Sequence, residues 1–301
     1  MLLHPADRRP TAIVLTGLAL ALLPFALPLP AWALIPLWIA SMVARTVAPV
    51  QQHNHAHLRV FKGRLANLAY DQCFALAAGY TTPGWELQHV LGHHRLYLKG
   101  AADPACNHRF SGPGPWQRPL FTLLGSALSF WDAARVARAL KRDGKRDHLP
   151  RLLAHKAVAL SALGGLLWLD PWLAFAFFLG PHLLLRWAVF WFSYRQHEGA
   201  PMTHVYDGAI TNLGPFNGWL LNVGHHTAHH ERPAMHWTLL PARTAQIRDR
   251  IPAVCVVGEP AVGSAPGDAV RDGAGAAQGV LVEAEAVVAA AEPRAAAAEL
   301  R

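Results

Sequence analysis

The stretch TAIVLTGLALALLPFALPLPAWALIPLWIASMVA, residues 11–44, runs for 34 residues without a charged side chain. A single helix of that length would reach about 51 Å, whereas the hydrocarbon core of a bilayer is about 30 Å thick. Three prolines, at positions 24, 28 and 30, lie near its middle, where a turn would fall. We therefore predict a helical hairpin with membrane spans at 11–28 and 31–48.

A cleaved signal peptide is the competing interpretation of this stretch, because Arg8 and Arg9 precede the apolar run. The run is longer than the apolar segment of a signal peptide, and no small-residue cleavage site ends it. The hairpin is therefore the favoured interpretation.

A second apolar block covers residues 152–194 and is interrupted by Asp-Pro at 170–171. It predicts another hairpin, with spans at 153–169 and 172–193 and an interfacial tryptophan on each side of the turn. The composition agrees, because 52% of the residues are hydrophobic and only 15% are charged, against about 25% in an ordinary soluble domain. The predicted fold is all-α and integral to the membrane, with four transmembrane helices in two hairpins and a cytoplasmic helical cap.

The distribution of lysine and arginine predicts the orientation of these spans. Neither hairpin turn contains a basic residue, whereas the N-terminal tail and the segment 47–152 are rich in them, including KRDGKR at 141–146. By the positive-inside rule, both ends of the chain and the middle segment face the cytoplasm. This topology and anionic lipid explain the net charge of +8, so nucleic acid is not expected as a partner.

Other segments are predicted to be peripheral. Apolar stretches at 65–80 and 119–131 are too short or too interrupted to span, and they predict helices that lie in the interface or are partly re-entrant. Residues 1–250 thus form one membrane domain, followed at 251–301 by an Ala/Gly/Glu-rich tail that is predicted to be disordered. Three cysteines without a C-x-x-C pair exclude a secreted disulfide scaffold.

Histidines are the most unusual feature, because the chain has 18 of them and three dense groups lie in the predicted cytoplasmic segments. Residues three or four apart on a helix share a face, with Cβ atoms about 5–6 Å apart. Each group can therefore aim two or three imidazoles at one point, as a metal ion requires. With a solitary histidine after the second hairpin, there are nine candidate ligands, which are too many for one ion and suit two. They are His53, His57, His89, His93, His94, His197, His226, His229 and His230.

The remaining histidines are predicted to serve the structure. A lone histidine is usually a satisfied polar residue, which applies to His4, His108, His148, His155, His182 and His204. His236 is predicted to be structural or to support a ligand. His55 and His225 lie next to the histidine groups in the sequence. They are predicted to contact the ligands without binding metal themselves.

These groups resemble the three histidine boxes, H-x3/4-H, H-x2/3-HH and H/Q-x2/3-HH, of the integral-membrane fatty acid desaturase and alkane hydroxylase superfamily. The chain matches the boxes at 53–57, 89–94 and 226–230. The run NVGHHTAHHERP at 222–233, followed by His-Trp at 236–237 and Leu-Pro at 240–241, is especially similar to bacterial desaturase-type members. The resemblance covers about four-fifths of the chain, residues 10–250.

The resemblance implies a four-span helical protein of a bacterial inner membrane with a cytoplasmic di-iron centre that activates O₂. It implies the introduction of a double bond into a fatty acyl or lipid-like chain. The electrons would come from an external ferredoxin, rubredoxin or cytochrome b5-like donor, since the chain has no cysteine pairs for an iron–sulfur site and no credible dinucleotide fingerprint. His197 matches the family's additional ligand, and Asn222 lies where relatives have polar residues close to the metals.

Three glutamates are predicted to support the ligands. Glu86, Glu198 and Glu231 each lie within three residues of a candidate ligand, where a carboxylate can accept a hydrogen bond from the distal N–H of an imidazole. A solvated glutamate at the membrane surface is the alternative for each.

Several functional alternatives stay open at this point. Hydroxylation of an alkyl or lipid substrate at the same site is one, because Gly92-His93-His94 followed by Asp103-Pro104 resembles the hydroxylase branch. Imidazole suits zinc as well as iron, so a zinc-dependent hydrolase or lipid hydroxylase is another. A histidine-lined metal transporter would place its ligands inside the spans, and only His182 is predicted to lie deep within one.

Overall fold

The computed structural model describes residues 1–112 and 114–258, and this part of the chain is mostly helical. The helices are α1 Arg8–Ala26, α2 Ala31–Arg45, α3 Val47–His57, α4 Arg64–Ala78, α5 Thr82–Trp85, a π-helix Glu86–His94, α6 Gln117–Arg142, α7 Leu149–Leu169, α8 Pro171–Ala174, a π-helical turn Phe175–Leu179, α9 Gly180–Arg195, α10 His226–Glu231 and α11 Leu240–Ile247. Two short strands, β1 Thr211–Asn212 and β2 Val256–Val257, pair in parallel.

Four helical segments are long and apolar enough to cross a membrane, which agrees with the predicted number of spans. At 1.5 Å per residue the shortest, with 21 residues, reaches about 31 Å, the thickness of a hydrocarbon core. Between 11% and 39% of each apolar window is buried within the protein, so most of these side chains are left to contact lipid. The segments are Pro5–Ala26, Ala31–His57, Leu149–Leu169 and Pro171–Arg195.

Prolines and a capping aspartate determine where the spans end. Leu27 is extended, with φ −130°, because it precedes Pro28 and a residue before proline is disfavoured in the helical region. Asp170 is extended for the same reason, and its carboxylate accepts hydrogen bonds from the N–H groups of Trp172 and Leu173 at 2.9 Å. The predicted span boundaries at these turns are therefore correct to within two residues.

The second span continues directly into the first histidine box. It runs from Ala31 to His57 with a small irregularity at Thr46, whereas its predicted end is residue 48. Pro49 does not stop the helix because it lies in the first turn of α3, where a missing N–H costs no hydrogen bond. The first box therefore lies on a helical extension of the second span.

Two further helices appear where the sequence predicts peripheral helices. α4 matches the stretch 65–80 closely, whereas α6 is twice as long as the predicted 119–131. α4 packs against α1, α3, α7 and α9, and α6 packs against α9 and the π-helix. Their depth in the membrane stays a prediction.

The tail prediction is wrong for residues 251–258. Ile251 and Cys255 are buried against Ala228 of α10 and Leu240 of α11, and β2 pairs with β1. These residues fold because they complete a small apolar cluster behind the third histidine box. The remainder of the predicted tail, 259–301, lies outside the described residues.

Candidate metal centre

Three helical elements and one turn carry the nine candidate ligands. α3 presents His53 and His57 one turn apart, and His197 lies in the turn just after α9. The π-helix holds the second box, and α10 holds the third. The structure brings the donor nitrogens of all nine histidines into two neighbouring groups.

The larger group is the five-histidine cluster, in which all donor atoms lie within 4.8 Å of one another. The Nε2 atom of His53 lies 2.9 Å from that of His89 and 3.0 Å from that of His229. The Nε2 atom of His94 lies 3.0 Å from the same two nitrogens. The fifth member, His57, stands edge-on at 4.7 Å from the ring of His94.

The smaller group is the four-histidine cluster, and all four of its members are buried. The Nε2 atom of His230 lies 3.1 Å from that of His226 and 3.2 Å from that of His93. His197 completes the cluster, with its Nε2 atom 3.3 Å from that of His226. The ring centroids of His230 and His94 are 4.6 Å apart, so the two clusters are adjacent.

The local helical geometry divides the second box between the clusters. Successive residues of an α-helix point about 100° apart, so His93 and His94 cannot serve one point together. The π-helix joins residues five apart, which brings His89 and His94 to the same face and leaves His93 for the other cluster. In α10, likewise, His229 belongs to the five-histidine cluster, whereas its neighbours His226 and His230 belong to the four-histidine cluster.

The spacing of the nitrogens fits a metal ion at the centre of each cluster. Imidazole nitrogens that bind an ion at about 2.0–2.1 Å lie about 2.9 Å apart at right angles and about 3.4 Å apart at the tetrahedral angle. The Nε2 separations of 2.9–3.3 Å in the structure fall in this interval. The hydrogen on one Nε2 atom can form a hydrogen bond to only one neighbouring imidazole nitrogen. The lone pairs of several nitrogens would therefore face each other unless a cation lay between them.

Burial favours the neutral form of six of these imidazoles, which is the form that binds metal. Desolvation lowers the pKa of His89, His94, His226, His229 and His230 well below the usual value, and neighbouring histidines lower it further. The pKa of the His197 imidazole falls to about 4 for the same reasons.

The three glutamates do not support the ligands in the way the sequence predicts. The structure instead pairs each one with arginines: Glu86 with Arg59 and Arg151, Glu198 with Arg118 and Arg195, and Glu231 with Arg243. In a chain with a net charge of +8, a guanidinium offers a partly exposed carboxylate a stronger partner than a buried neutral imidazole does.

The hydrogen bonds of the other predicted supporting residues likewise go to groups outside the clusters. His55 accepts a hydrogen bond from the N–H of Val60 and lies 3.2 Å from Asp71. The hydroxyl of Thr244 lies 2.9 Å from the Nδ1 atom of His225, and Asn222 donates to the carbonyl of Trp237 at 3.1 Å. These contacts tie surrounding elements together, and none of them involves a cluster histidine.

Three groups contact the imidazole rings of the ligands but are not among the predicted site residues. Asp103 hydrogen-bonds the Nδ1 atom of His93, and the carbonyl of Gly208 accepts from that of His197 at 2.8 Å. The ring of Tyr97 stacks on His230 with centroids 4.0 Å apart. Asp103 follows the second box by nine residues, and its only signal in the sequence is the resemblance of Asp103-Pro104 to the hydroxylase branch. A backbone carbonyl carries no sequence signal.

The histidines predicted to be structural lie outside both clusters. His108 is exposed and lies 2.7 Å from the amide of Gln117. His182 donates to the carbonyl of Leu76, at 2.6 Å. His236 contacts Asp7, so it holds the N-terminal segment against the third-box region.

A cavity of about 480 Å³ reaches both clusters. One wall follows α2 and α3 from Val43 to His53. Another follows α9 from Leu185 and continues to Gln196 just after the helix, and Trp219 lies at the side. The cavity is mainly apolar, and none of the described residues that line it is Asp, Glu, Lys or Arg. The indole N–H of Trp219 donates to the hydroxyl of Thr46 at 2.9 Å, which joins two walls. Its volume is typical of a small-molecule site.

A helical chain with four apolar spans, two adjacent histidine clusters and an apolar cavity that reaches both has the construction of a membrane metalloenzyme. The family model described as fatty acid desaturase matches residues 28–257, and the chain belongs to this family. No curated protein matches it. The resemblance seen in the histidine boxes is thereby confirmed: the protein is an integral-membrane oxidoreductase that acts on lipid chains and has a histidine metal site.

Proposed function

We propose that this protein is an O₂-dependent desaturase that introduces a double bond into a fatty acyl or lipid-like chain. The observation that carries the proposal is the uncharged cavity whose walls include histidines of both clusters. An aliphatic chain in this cavity would lie against the metal centre without leaving a charged group unpaired.

The nine clustered histidines are the proposed ligands of two iron ions, five at one ion and four at the other. When bound, the ions would supply the reductive activation of O₂, which no amino-acid side chain can perform. The histidines contribute neutral donors held in place by burial, and the surrounding helices exclude bulk water. Zinc is the alternative metal, because imidazole binds both ions.

The lining of the cavity supports a role in positioning the aliphatic substrate. From Val43 to His53 its first wall extends over ten residues, or about 15 Å of helix. Val50, Leu185 and Phe192 are among the apolar side chains that would hold successive carbon atoms. Two hydrogens must leave adjacent carbons, so the depth to which the chain enters would select the bond.

The reaction balances only with an external electron donor. The aliphatic substrate gives up two hydrogen atoms. Together with O₂, two electrons and two protons, these form two water molecules. Basic residues at the exposed end of α6 and after it (Arg135, Arg138, Lys141, Arg142, Lys145 and Arg146) support docking of an acidic ferredoxin, rubredoxin or cytochrome b5-like donor. Val136 of this helix packs against Gly92 beside the clusters, so the surface lies close to the metal centre.

We also propose the two-hairpin topology, with the clusters, both ends and α6 on the cytoplasmic side of a bacterial inner membrane. Exposed tryptophans at the turns support it: Trp32 is 77% exposed, and Trp168 and Trp172 are 86% and 83% exposed. Such side chains suit the interface on the far side, whereas the basic residues of α6 suit the cytoplasm.

Expression with a compatible reductase, followed by mass spectrometry of total lipids, tests the activity. A product lighter than its substrate by two mass units supports desaturation. A gain of sixteen would instead assign hydroxylation. Metal analysis of anaerobically purified protein tests the cofactor, and two zinc ions per chain with activity that does not need O₂ would overturn the proposal.

A further inference from the structure

The two histidine clusters differ in the hydrogen-bond partners of their Nδ1 atoms. His93 and His197, which have hydrogen-bond partners at Nδ1, both belong to the four-histidine cluster. The Nδ1 atom of His53 in the five-histidine cluster is buried without a partner among the described residues, as are those of His226 and His230 in the four-histidine cluster. Asp103 is the one carboxylate within residues 1–112 and 114–258 that hydrogen-bonds a cluster histidine.

Asp103 is held firmly in this position. Its two oxygens lie 2.9 and 2.8 Å from the Nδ1 atom of His93, and the side chain of each residue is at most 3% exposed. The oxygen Oδ1 also accepts the backbone N–H of Ala105 at 2.8 Å, which closes a local turn. Pro104 packs close to Gly92, where a Cβ atom would lie 3.0 Å from the proline ring.

This contact determines which nitrogen of His93 carries the proton. A carboxylate acceptor favours the N–H at Nδ1, so Nε2 keeps its lone pair, and this atom faces His230 at 3.2 Å. Among the described residues, no lysine or arginine forms an ion pair with Asp103. Burial of a carboxylate costs free energy when no charge compensates it. A cation on the far side of His93 would provide that charge.

We propose that Asp103 is the positioning residue of the four-histidine cluster and makes the two metal ions unequal. It orients His93 with Nε2 toward the ion and adds one negative charge to an otherwise neutral shell. The ion of the four-histidine cluster is therefore held more tightly than it would be by four unassisted imidazoles. This inference rests on the proposed dimetal function of the same site.

The test is the metal content of full-length protein under increasing chelator. The wild-type protein is expected to hold two ions. In Asp103→Ala, one ion should leave at a chelator activity about 10–100-fold lower, as measured for supporting residues in other metal sites. Asp103→Asn, whose amide oxygen can still accept from Nδ1, should retain both ions but alter the Mössbauer spectrum of one iron.

Asp71→Asn is the matched control, because Asp71 is an equally buried carboxylate beside His55, which belongs to neither cluster. It should hold both ions as tightly as the wild-type protein. The double variant Asp103→Ala/His226→Ala should lose no ion beyond the one that Asp103→Ala loses. The double variant Asp103→Ala/His229→Ala should lose the remaining ion as well.

Two outcomes separate this inference from the proposed function. If wild-type protein and Asp103→Ala release two ions at the same chelator activity, the role of Asp103 is wrong and the dimetal site stands. If Asp103→Ala loses one ion as expected but the wild-type protein forms no unsaturated lipid, the proposed activity fails and the role of Asp103 stands. Equal losses in Asp103→Ala and Asp71→Asn would also overturn the inference.

Discussion

His93 and His94 are neighbours in the chain, yet their imidazoles belong to different clusters. The same separation occurs between His229 and His230. Each of these two boxes therefore contributes to both proposed ions, and the clusters lie side by side because their ligands share helices. A displacement of the backbone of one of these helices should disturb both metal positions, whereas loss of a single ligand side chain should affect one.

Replacement of a single cluster histidine tests this division at the residue scale. We expect His229→Ala to reduce the metal content from about two ions per chain to about one and to abolish turnover, because the five-histidine cluster loses a buried donor. Metal analysis and lipid mass spectrometry of detergent-purified protein measure both effects.

His108→Ala is the control for this variant, since His108 is exposed and contacts Gln117 away from the clusters. It should keep both ions and full turnover, and both variants should insert into the membrane. Equal loss of metal from the two variants would contradict the assignment of the clusters.

The decisive element is the π-helix Glu86–His94. Its wider turn puts His89 and His94 on one face, which the 3.6-residue period of an α-helix does less well. α6 packs along this element, and the ion pairs of Glu86 with Arg59 and Arg151 tie it to neighbouring segments. The irregular geometry is thus maintained by contacts from outside the helix.

Gly92 tests this packing. A Cβ atom there would lie 3.0 Å from the carbonyl oxygen of Leu87 and from Pro104, so Gly92→Ala requires these neighbours, which adjoin the Asp103 turn, to shift by a few tenths of an ångström. We expect a loss of about 1–3 kcal/mol in stability and weaker metal binding. Thermal unfolding in detergent and metal analysis measure the two effects.

The control for Gly92→Ala is Gly164→Ala in α7, where a Cβ atom would meet nothing within 4 Å. Alanine should be neutral there or stabilise the helix by up to about 1 kcal/mol. If the two variants have the same unfolding temperature and metal content, close packing at Gly92 does not matter for the site.

At the scale of the whole molecule, the cavity joins the membrane helices to the clusters. Its walls come from α2, α3 and α9, which are parts of two different spans, and from the segment that precedes the third box. Packing of α6 and α4 against α9 holds one wall in place. Substrate access and metal binding are therefore separable properties.

Filling the cavity should block turnover without removing metal. Ala188 on α9 lines the cavity, and Ala188→Trp places a large ring where the chain would lie. We expect turnover of long chains to fall about 10²-fold, since small displacements of a substrate have effects of that size. Ala162→Trp, on an exposed face of α7, should retain activity. Loss of metal from Ala188→Trp would argue against a separate substrate cavity.

Charge reversal at the end of α6 tests the proposed donor surface. Arg138→Glu/Arg142→Glu should lower kcat/KM for an acidic donor protein about tenfold and weaken its dependence on salt, because attraction between the partners is reduced. Steady-state assays at several ionic strengths measure the effect. The same charge change in Arg8→Glu/Arg9→Glu should leave the rate unchanged, and equal effects would exclude this surface.

The sequence by itself determined the membrane class, the number of spans and the nine histidines that the structure brings together. These features follow from uninterrupted apolar runs and from short spacings, both of which are local properties of the chain. The supporting residues depend on long-range contacts. A pairing such as Glu231 with Arg243, or a carbonyl such as that of Gly208 behind His197, leaves no local pattern.

Only the tertiary structure decided which histidines form each cluster. Three separate boxes and His197 can be combined in many ways, and the sequence spacing within HVLGHH allows His93 or His94 to accompany His89. The π-helix selects His94, because packing by α6 and the Asp103 turn stabilises a wider helical turn than local preferences would choose. The cavity has the same origin, since its walls come from helices far apart in the chain.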